Sequence, residues 1–364
     1  MPIVLAIAVL ALLIVVHELG HFIAARAQGI YVTRFSIGFG PVLWKYQGEQ
    51  TEYALRAIPL GGYVAFPDDE ADGTIDPKDP NLMRNRPVLD RALVISAGVI
   101  ANLVFAYLLL LTQIGWSGIP ELQPALGVMV PQIAADVSSA AAQAGLQAGD
   151  VVIRANGQPL GTGDAAVQQL MAEIKAHPNQ AMSLEVQRQE QLLSLEVVPK
   201  VGEDNVPRIG VRLAPNGTVI RKHAQSLGAL LGSASSEFQR VVLLTVQGFA
   251  QLILNFQDAA TQVSGPVAIV AMGADIARTD VSRLLQFGAL ISINLAIINI
   301  LPLPALDGGQ LAFLFIEGLR GRPLPSEVQN GVMQTGLFLL LGLGMFLIVR
   351  DTANLGWVQS LFSQ

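Results

Sequence analysis

From residue 3 to residue 25 every side chain is apolar except at His17, Glu18, Gly20 and His21. A run of that length crosses a bilayer core of about 30 Å as a helix, and a helix satisfies its own backbone polar groups in lipid. A cleavable signal peptide needs a basic start and a cleavage site. Here the first Lys or Arg is Arg26, and the ionisable cluster follows directly on the unbroken apolar run 3–16. The segment therefore reads as a retained transmembrane helix. Three ionisable side chains inside it are expensive unless they pair with one another or bind something.

Three further stretches can span a bilayer: residues 92–113, interrupted only by Ser96, Asn102, Tyr107 and Thr112 before Gln113, residues 284 to about 303, and residues 332–349. Residues 241–254 are also nearly apolar, but Glu237, Arg240, Gln247, Gln251, Asn255 and Asp258 form a polar stripe at helical spacing. That stretch reads as a helix lying on the membrane surface. Charged residues make up 14% of the chain, against about 25% in average proteins. The deficit fits lipid-facing spans, and the charge that remains calls for a soluble module. With no Cys, thiolate metal sites, iron–sulfur clusters, disulfides and cysteine nucleophiles are excluded, so a bound metal must use His, Asp or Glu. A net charge of −6 without a basic block argues against nucleic acid as a partner.

Residues 120 to about 215 form the soluble module. The run Gly145-Leu146-Gln147-Ala148-Gly149-Asp150 leads into an apolar strand and the tight-turn pair Asn156-Gly157. Residues 164–177 have helical spacing, and 182–186 and 193–198 alternate as strands around a polar turn. This resembles a PDZ domain of the kind attached to bacterial proteases, present in one copy.

His17-Glu18-Leu19-Gly20-His21 is H-E-x-x-H on an apolar helix. Residues four apart share a helix face, so both imidazoles can ligate one Zn²⁺ while Glu18 acts as general base on the attacking water. Catalytic zinc takes three protein ligands and keeps one position open. His177 and His223 lie in polar surroundings and read as solvated surface residues. The third ligand is then a carboxylate near a span, and Asp307 is the candidate. Two prolines and two glycines around it break the third helix, and irregular backbone at membrane depth survives only inside protein or beside a cavity.

H-E-L-G-H in the first span, N-x-x-P-x-P-x-L-D-G-G at residues 299–309 and a PDZ domain between spans resemble the site-2 proteases, intramembrane zinc metalloproteases of the bacterial RseP type. The likeness extends to residues 35–41, 58–64, 264–267 and 317–323. It implies His17, His21 and Asp307 as zinc ligands and Glu18 as catalytic base. It also implies that Asn299, with Pro302 and Pro304, lies beside the substrate, where the Asn299 amide holds the peptide or its developing oxyanion. Two features depart from the pattern: Ala97-Gly98-Val99 stands where A-G-P is common, and there is one PDZ domain where the enterobacterial type has two.

The fold class expected is an α-helical polytopic membrane protein with four transmembrane helices, a membrane-associated β-hairpin region and one inserted α+β PDZ domain. Its domains are residues 1–118, two spans with a cytoplasmic β-rich loop; 119–215, the extracytoplasmic PDZ domain; 216–283, a linker with the surface helix; and 284–364, two further spans. Eight Lys and Arg between residues 26 and 91, and none from 92 to 153, place the loop in the cytoplasm and the N-terminus and PDZ domain on the other side. For one zinc to reach all three ligands, the first and third spans must run the same way. The acidic patch Asp68, Asp69, Glu70, Asp72, Asp76 and Asp79 reads as a solvated loop. A substrate strand would be added at residues 52–58 or at the loop 38–40. The expected activity is endoproteolysis within or near the membrane segments of single-pass proteins, such as anti-sigma factors or remnant signal peptides. The expected partners are those substrates, peptide carboxyl termini at the PDZ domain, and the bilayer of a bacterial plasma membrane or a thylakoid or plastid membrane. The competing readings are a membrane-anchored PDZ adaptor with a structural zinc and an ion-relay transporter; the latter predicts inverted repeats, which the two halves do not show.

Overall fold

The computed structural model describes residues 1–67, 75–133, 140–202, 206–255 and 264–353. Asp68, Asp69, Glu70 and Asp72 of the acidic patch, and Asp258, lie outside the described residues. Two compact units are present: Met1–Gly118 with His223–Gln364, and the inserted Ile119–Lys222. Among the described residues four helices are long and apolar enough to cross a membrane.

The chain begins with α1 (Pro2–Ala27), which has Pro2 at its first turn, where a missing N–H costs nothing. Two strands follow, β1 (Arg34–Gln47) and β2 (Glu52–Ala65), and each doubles back. Residues 34–37 pair in parallel with 52–55 and antiparallel with 62–65, while 44–47 run antiparallel to 52–55. The order across the sheet is therefore 44–47, 52–55, 34–37, 62–65. Gly61, with φ +110°, lies at the last reversal, where a Cβ would meet the Phe39 ring. This order bears on the expected site of strand addition. Residues 52–55 are paired on both sides, and Gly40 O already accepts from Arg56 Nη1 at 2.8 Å. Among the described residues the edges of this sheet are 44–47 and 62–65. Exposed Phe39, Leu43 and Trp44 give this sheet an apolar tip suited to lipid. Asp76 and Asp79 accept from the backbone N–H of Lys78 and Asn81, as solvated turn residues do. Next comes α2 (Val88–Ser117).

The inserted unit contains β3 (Ile119–Ile133), α3 (Ala140–Gln143), β4 (Val151–Ala155), β5 (Gln158–Pro159), α4 (Gly163–Ala176), β6 (Met182–Arg188), β7 (Gln191–Val197), β8 (Lys200–Val201), β9 (Pro207–Arg208) and β10 (Val211–Lys222). Its main sheet runs β10-β3-β4-β6-β7, with β5 paired to β4. Asn156 and Gly157 both have positive φ, as the turn between β4 and β5 requires. Helix α4 buries Ala166, Leu170 and Ile174, one face at four-residue spacing, onto Val128, Val152 and Leu184. Strand β10 continues past residue 215, pairing Thr218–Lys222 with Ile119–Gln123. The linker therefore starts later than the sequence suggests.

Asp150 ties this unit together. It is buried, takes Arg188 Nε at 2.8 Å and Nη2 at 2.9 Å, and accepts from Gln147 N. The Arg188 guanidinium holds its carboxyl below the usual carboxylate range, against the opposing effect of burial. A carboxylate whose folded pKa is depressed contributes stability that is complete above its unfolded value of about 3.9 and fades as pH falls through the folded value. Asp150→Ala is expected to destabilise the unit, because it removes the two Arg188 hydrogen bonds and leaves the Gln147 N–H without its acceptor. The protection factors of the β4 and β6 amides in the full chain, taken against the intrinsic exchange rate at each pH, should fall in the variant, and in the wild type only on acidification below about pH 4.

The first unit resumes with α5 (Leu227–Leu254), α6 (Pro266–Thr279), α7 (Val281–Ile300), α8 (Asp307–Arg320) and α9 (Ser326–Ala353). Residues 241–254, read as a surface helix, form the second half of α5, which is not among the helices long and apolar enough to cross a membrane. Helix α5 is twice that long and packs lengthwise on α2 and α7, with Phe238 and Val241 against Ala106, Leu110, Ala289 and Ile293. Part of the polar stripe is absorbed internally, since Glu237 pairs with Arg240 and accepts from Gln286 on α7. Helix α6 returns beside α1, with Gly273 against Ala6. Asp351 near the end of α9 caps it through Ala268 N at 3.0 Å. The pairs His17/Asn102 and His21/Val94 make α1 and α2 antiparallel, and Ser292/Asn102 with Gly288/Leu109 make α7 antiparallel to α2. So α1 and α7 run the same way, and the loop after α7 brings Asp307 at the start of α8 to the end of α1 that carries His17 and His21.

Candidate metal centre

Four residues apart on α1, His17 and His21 turn their rings toward α2 and the start of α8. His17 Nε2 lies 3.2 Å from His21 Nε2 and 3.2 Å from Asp307 Oδ2, and His21 Nε2 lies 3.4 Å from the same oxygen. Ligands at about 2.0–2.1 Å around a tetrahedral ion stand about 3.3–3.4 Å apart. Asp307 Oδ2 is buried and has no hydrogen-bond partner among the described residues. A buried carboxylate oxygen facing two imidazole nitrogens at ligand spacing, without a hydrogen bond to either, fits a divalent cation with N and O donors. His21 Nδ1 lies 2.9 Å from Val94 O, an acceptor only, so the ring hydrogen sits on Nδ1 and Nε2 presents a lone pair.

Asp307 reaches this point because the chain breaks before it. Pro302 lacks an N–H and restricts Leu301, so α7 ends at Ile300. The loop turns through Ala305 at φ +67°, whose N–H donates to Met333 Sδ on α9. The first turn of α8 then tucks beneath it. A Cβ on Gly308 would lie 2.0 Å from Leu301 O, and one on Gly309 2.4 Å from Leu303 O. Two glycines after Asp307 are what this approach permits.

Glycine also clears the space around the imidazoles. A Cβ on Gly20 would lie 2.4 Å from Ala97 O, so α1 and α2 touch backbone to backbone. A Cβ on Gly98 would lie 2.4 Å from His21 Nε2 and 2.8 Å from His17 Cε1. Gly98→Ala is therefore expected to keep a good helix, since Ala is favoured over Gly by about 1 kcal/mol there, yet to push the ligand atoms aside. Displacements near 1 Å cost about 100-fold in rate. Zinc titration and cleavage measured on one preparation check this, and wild-type values for both would refute it.

Glu18 sits beside the edge segment 62–65, where a Cβ on Gly62 would lie 3.1 Å from Glu18 Cγ. Tyr63 and Val64 of that edge line a cavity of about 360 Å³ with His17, Glu18, His21 and Asp307. Asn299 is buried, its Nδ2 3.5 Å from His17 Nε2. Asn299, Pro302 and Pro304 are not among the residues lining the cavity; Pro304 packs against Gly336 of α9. The other histidines are elsewhere. His177 bonds Glu173 O within the inserted unit, and His223 lies 3.3 Å from Trp116 O. Sequence reasoning passed over Gly62, Gly98 and Asn102 as site residues. The available signal was a lone amide at Asn102 inside an apolar span, a position that is functional by default.

The profile of Peptidase family M50 matches residues 5–343. The chain belongs to peptidase family M50. It is 58% identical over 367 residues, with both chains covered in full, to a relative from Nostoc sp. (strain PCC 7120) named as a zinc metalloprotease. It is 43% identical over 358 residues to the membrane metalloprotease ARASP, chloroplastic, of Arabidopsis thaliana, covering 98% of this chain and 80% of that one. To the regulator of sigma-E protease RseP of Salmonella typhimurium it is 31% identical over 438 residues, covering 93% and 96%. Among solved structures, the PDZ domain of the SdrC-like protein from Listeria monocytogenes matches at 18% identity and a TM-score of 0.21, over 24% of this chain and 86% of that one. This M50 peptidase is a membrane metalloprotease, and its His/Asp group is of the kind that holds zinc.

Proposed function

We propose that this metalloprotease works inside the membrane, hydrolysing peptide bonds within or near the spanning segments of single-pass membrane proteins such as anti-sigma factors or remnant signal peptides. The observation that carries this reading is the convergence of His17, His21 and Asp307 on one point, with both histidines inside a helix apolar enough to cross a bilayer. Zinc, when bound, supplies a Lewis acid for the scissile carbonyl and acidity for the attacking water. Glu18 takes the water's proton and delivers it to the departing amide nitrogen. Asn299 donates its amide N–H to the oxygen on which charge develops. A substrate helix keeps its amides in its own hydrogen bonds and must be held locally unwound. Residues 62–65, an edge beside Glu18, offer backbone groups for an added strand. Pro302 and Pro304 act in this reading by shaping the loop that carries Asp307.

The Lys and Arg of residues 26–91 support a cytoplasmic side for that loop and the active site, with the N-terminus and the inserted unit on the opposite side. Substrate carboxyl termini would be taken up by the inserted unit. A cavity of about 740 Å³ lies between α4, at Val167, Met171 and Ile174, and Ile209–Leu213, an apolar groove beside an edge strand.

The test is cleavage of a single-pass protein by the full chain in proteoliposomes, with intact masses of the fragments locating the cut. The expected cut lies in the apolar segment or within a turn of it. Cuts confined to the substrate's soluble tails would overturn the reading.

A further inference from the structure

We propose that Asn102 is the positioning residue of His17: its side-chain carbonyl accepts the Nδ1–H of His17, so that Nε2 faces the metal as a lone pair. This rests on the metal centre above, and its test is arranged to fail separately.

Asn102 is fully buried on α2, and its amide is placed with Nδ2 3.2 Å from His17 Nδ1, the reverse of the orientation proposed. Which end faces the ring follows from the hydrogen-bond network, because amide oxygen and nitrogen exchange by a half-turn. With the nitrogen toward the ring, Nδ1 must accept. The single ring hydrogen then sits on Nε2, pointing into the space shared with Asp307 Oδ2 and His21 Nε2, and Asn102 Oδ1 is left buried without a partner. With the oxygen toward the ring, Nδ1 donates and Nε2 is free to ligate. Either orientation leaves one end of the amide unpartnered among the described residues; the demand for a lone pair at the metal chooses between them.

His21 is served in the same way by Val94 O. Val94, Gly98 and Asn102 stand at four-residue spacing on one face of α2. The first offers a backbone acceptor, the second leaves room for both rings and the third offers a side-chain acceptor. The helix is anchored at that point, since Ser292 Oγ on α7 donates to Asn102 O at 2.8 Å. Ligating histidines generally donate their outer N–H to such an oxygen, and removing the partner weakens metal binding about 10–100-fold.

The test compares zinc affinity, by competition with a chromogenic chelator, in the full-length wild type, Asn102→Leu and Asn102→Asp. Leu preserves volume without an acceptor and is expected to raise the dissociation constant about 10–100-fold; Asp keeps the acceptor and is expected to stay close to wild type. Unchanged affinity in Asn102→Leu, or equal losses in both variants, would overturn the proposal. Should Asn102→Leu fail to fold, spectra of histidine-labelled, zinc-loaded wild type decide: the His17 Nδ1–H is expected to show the downfield proton shift of a hydrogen-bonded group, and the shift of a free Nδ1–H would refute the proposal. Absence of zinc binding by the wild type, or binding that survives His17→Ala, would instead bring down the metal centre itself.

Discussion

Glu18→Gln is expected to keep one zinc per chain and to lose cleavage by about 10²–10⁴-fold, the usual contribution of a positioned general base. The substitution preserves side-chain volume, which matters because Gly62 leaves little room beside Glu18 Cγ. It alters none of the three ligand atoms. What it removes is the ability to take a proton from water and return it to the amide nitrogen. Metal content and fragment yield measured on the same preparation separate this outcome from unfolding. Cleavage that persists in the Glu18→Gln variant would show that the base lies elsewhere.

Asp307→Ala is expected to do the reverse: zinc and activity are lost together, and with them the stabilisation that the metal confers. A ligand that binds only the folded state contributes about 4 kcal/mol when present at a thousandfold excess over its dissociation constant. The wild type should therefore melt at a lower temperature after chelation, and Asp307→Ala should show no such shift. The metal-free forms are expected to differ by less than this shift, because the stabilisation linked to the metal is absent from both. A chelation shift of wild-type size in Asp307→Ala would remove Asp307 from the ligand set.

The spans and the His-Glu-x-x-His helix were legible because both depend on local pattern, a long apolar run and a four-residue repeat. Asp307 could be reached from composition, since a chain without Cys has few ligand types left. The packing of the first half of α5 on α2 and α7 was not legible, because a polar stripe looks the same whether it faces water or a partner helix. Gln286, which receives Glu237, is 49 residues away, and nothing local announces it. The sheet of β1 and β2 was opaque for a similar reason. Residues 34–37 pair with two different segments, and only the long-range register shows that 52–55 is interior and 62–65 is the edge. Gly98 gives no sign of its role in sequence either, because the atoms it makes room for belong to α1.

The central claim is that one zinc is held by two imidazoles of α1 and one carboxylate of α8. X-ray absorption at the zinc edge on the full-length Glu18→Gln protein tests it most directly, because the imidazole multiple-scattering pattern counts histidines and the chain has no Cys to add sulfur. The expected result is one zinc per chain with two imidazole ligands and oxygen completing the shell at about 2.0–2.2 Å, and loss of the bound zinc in Asp307→Ala. A third imidazole in the shell, or a full zinc equivalent retained without Asp307, would contradict it.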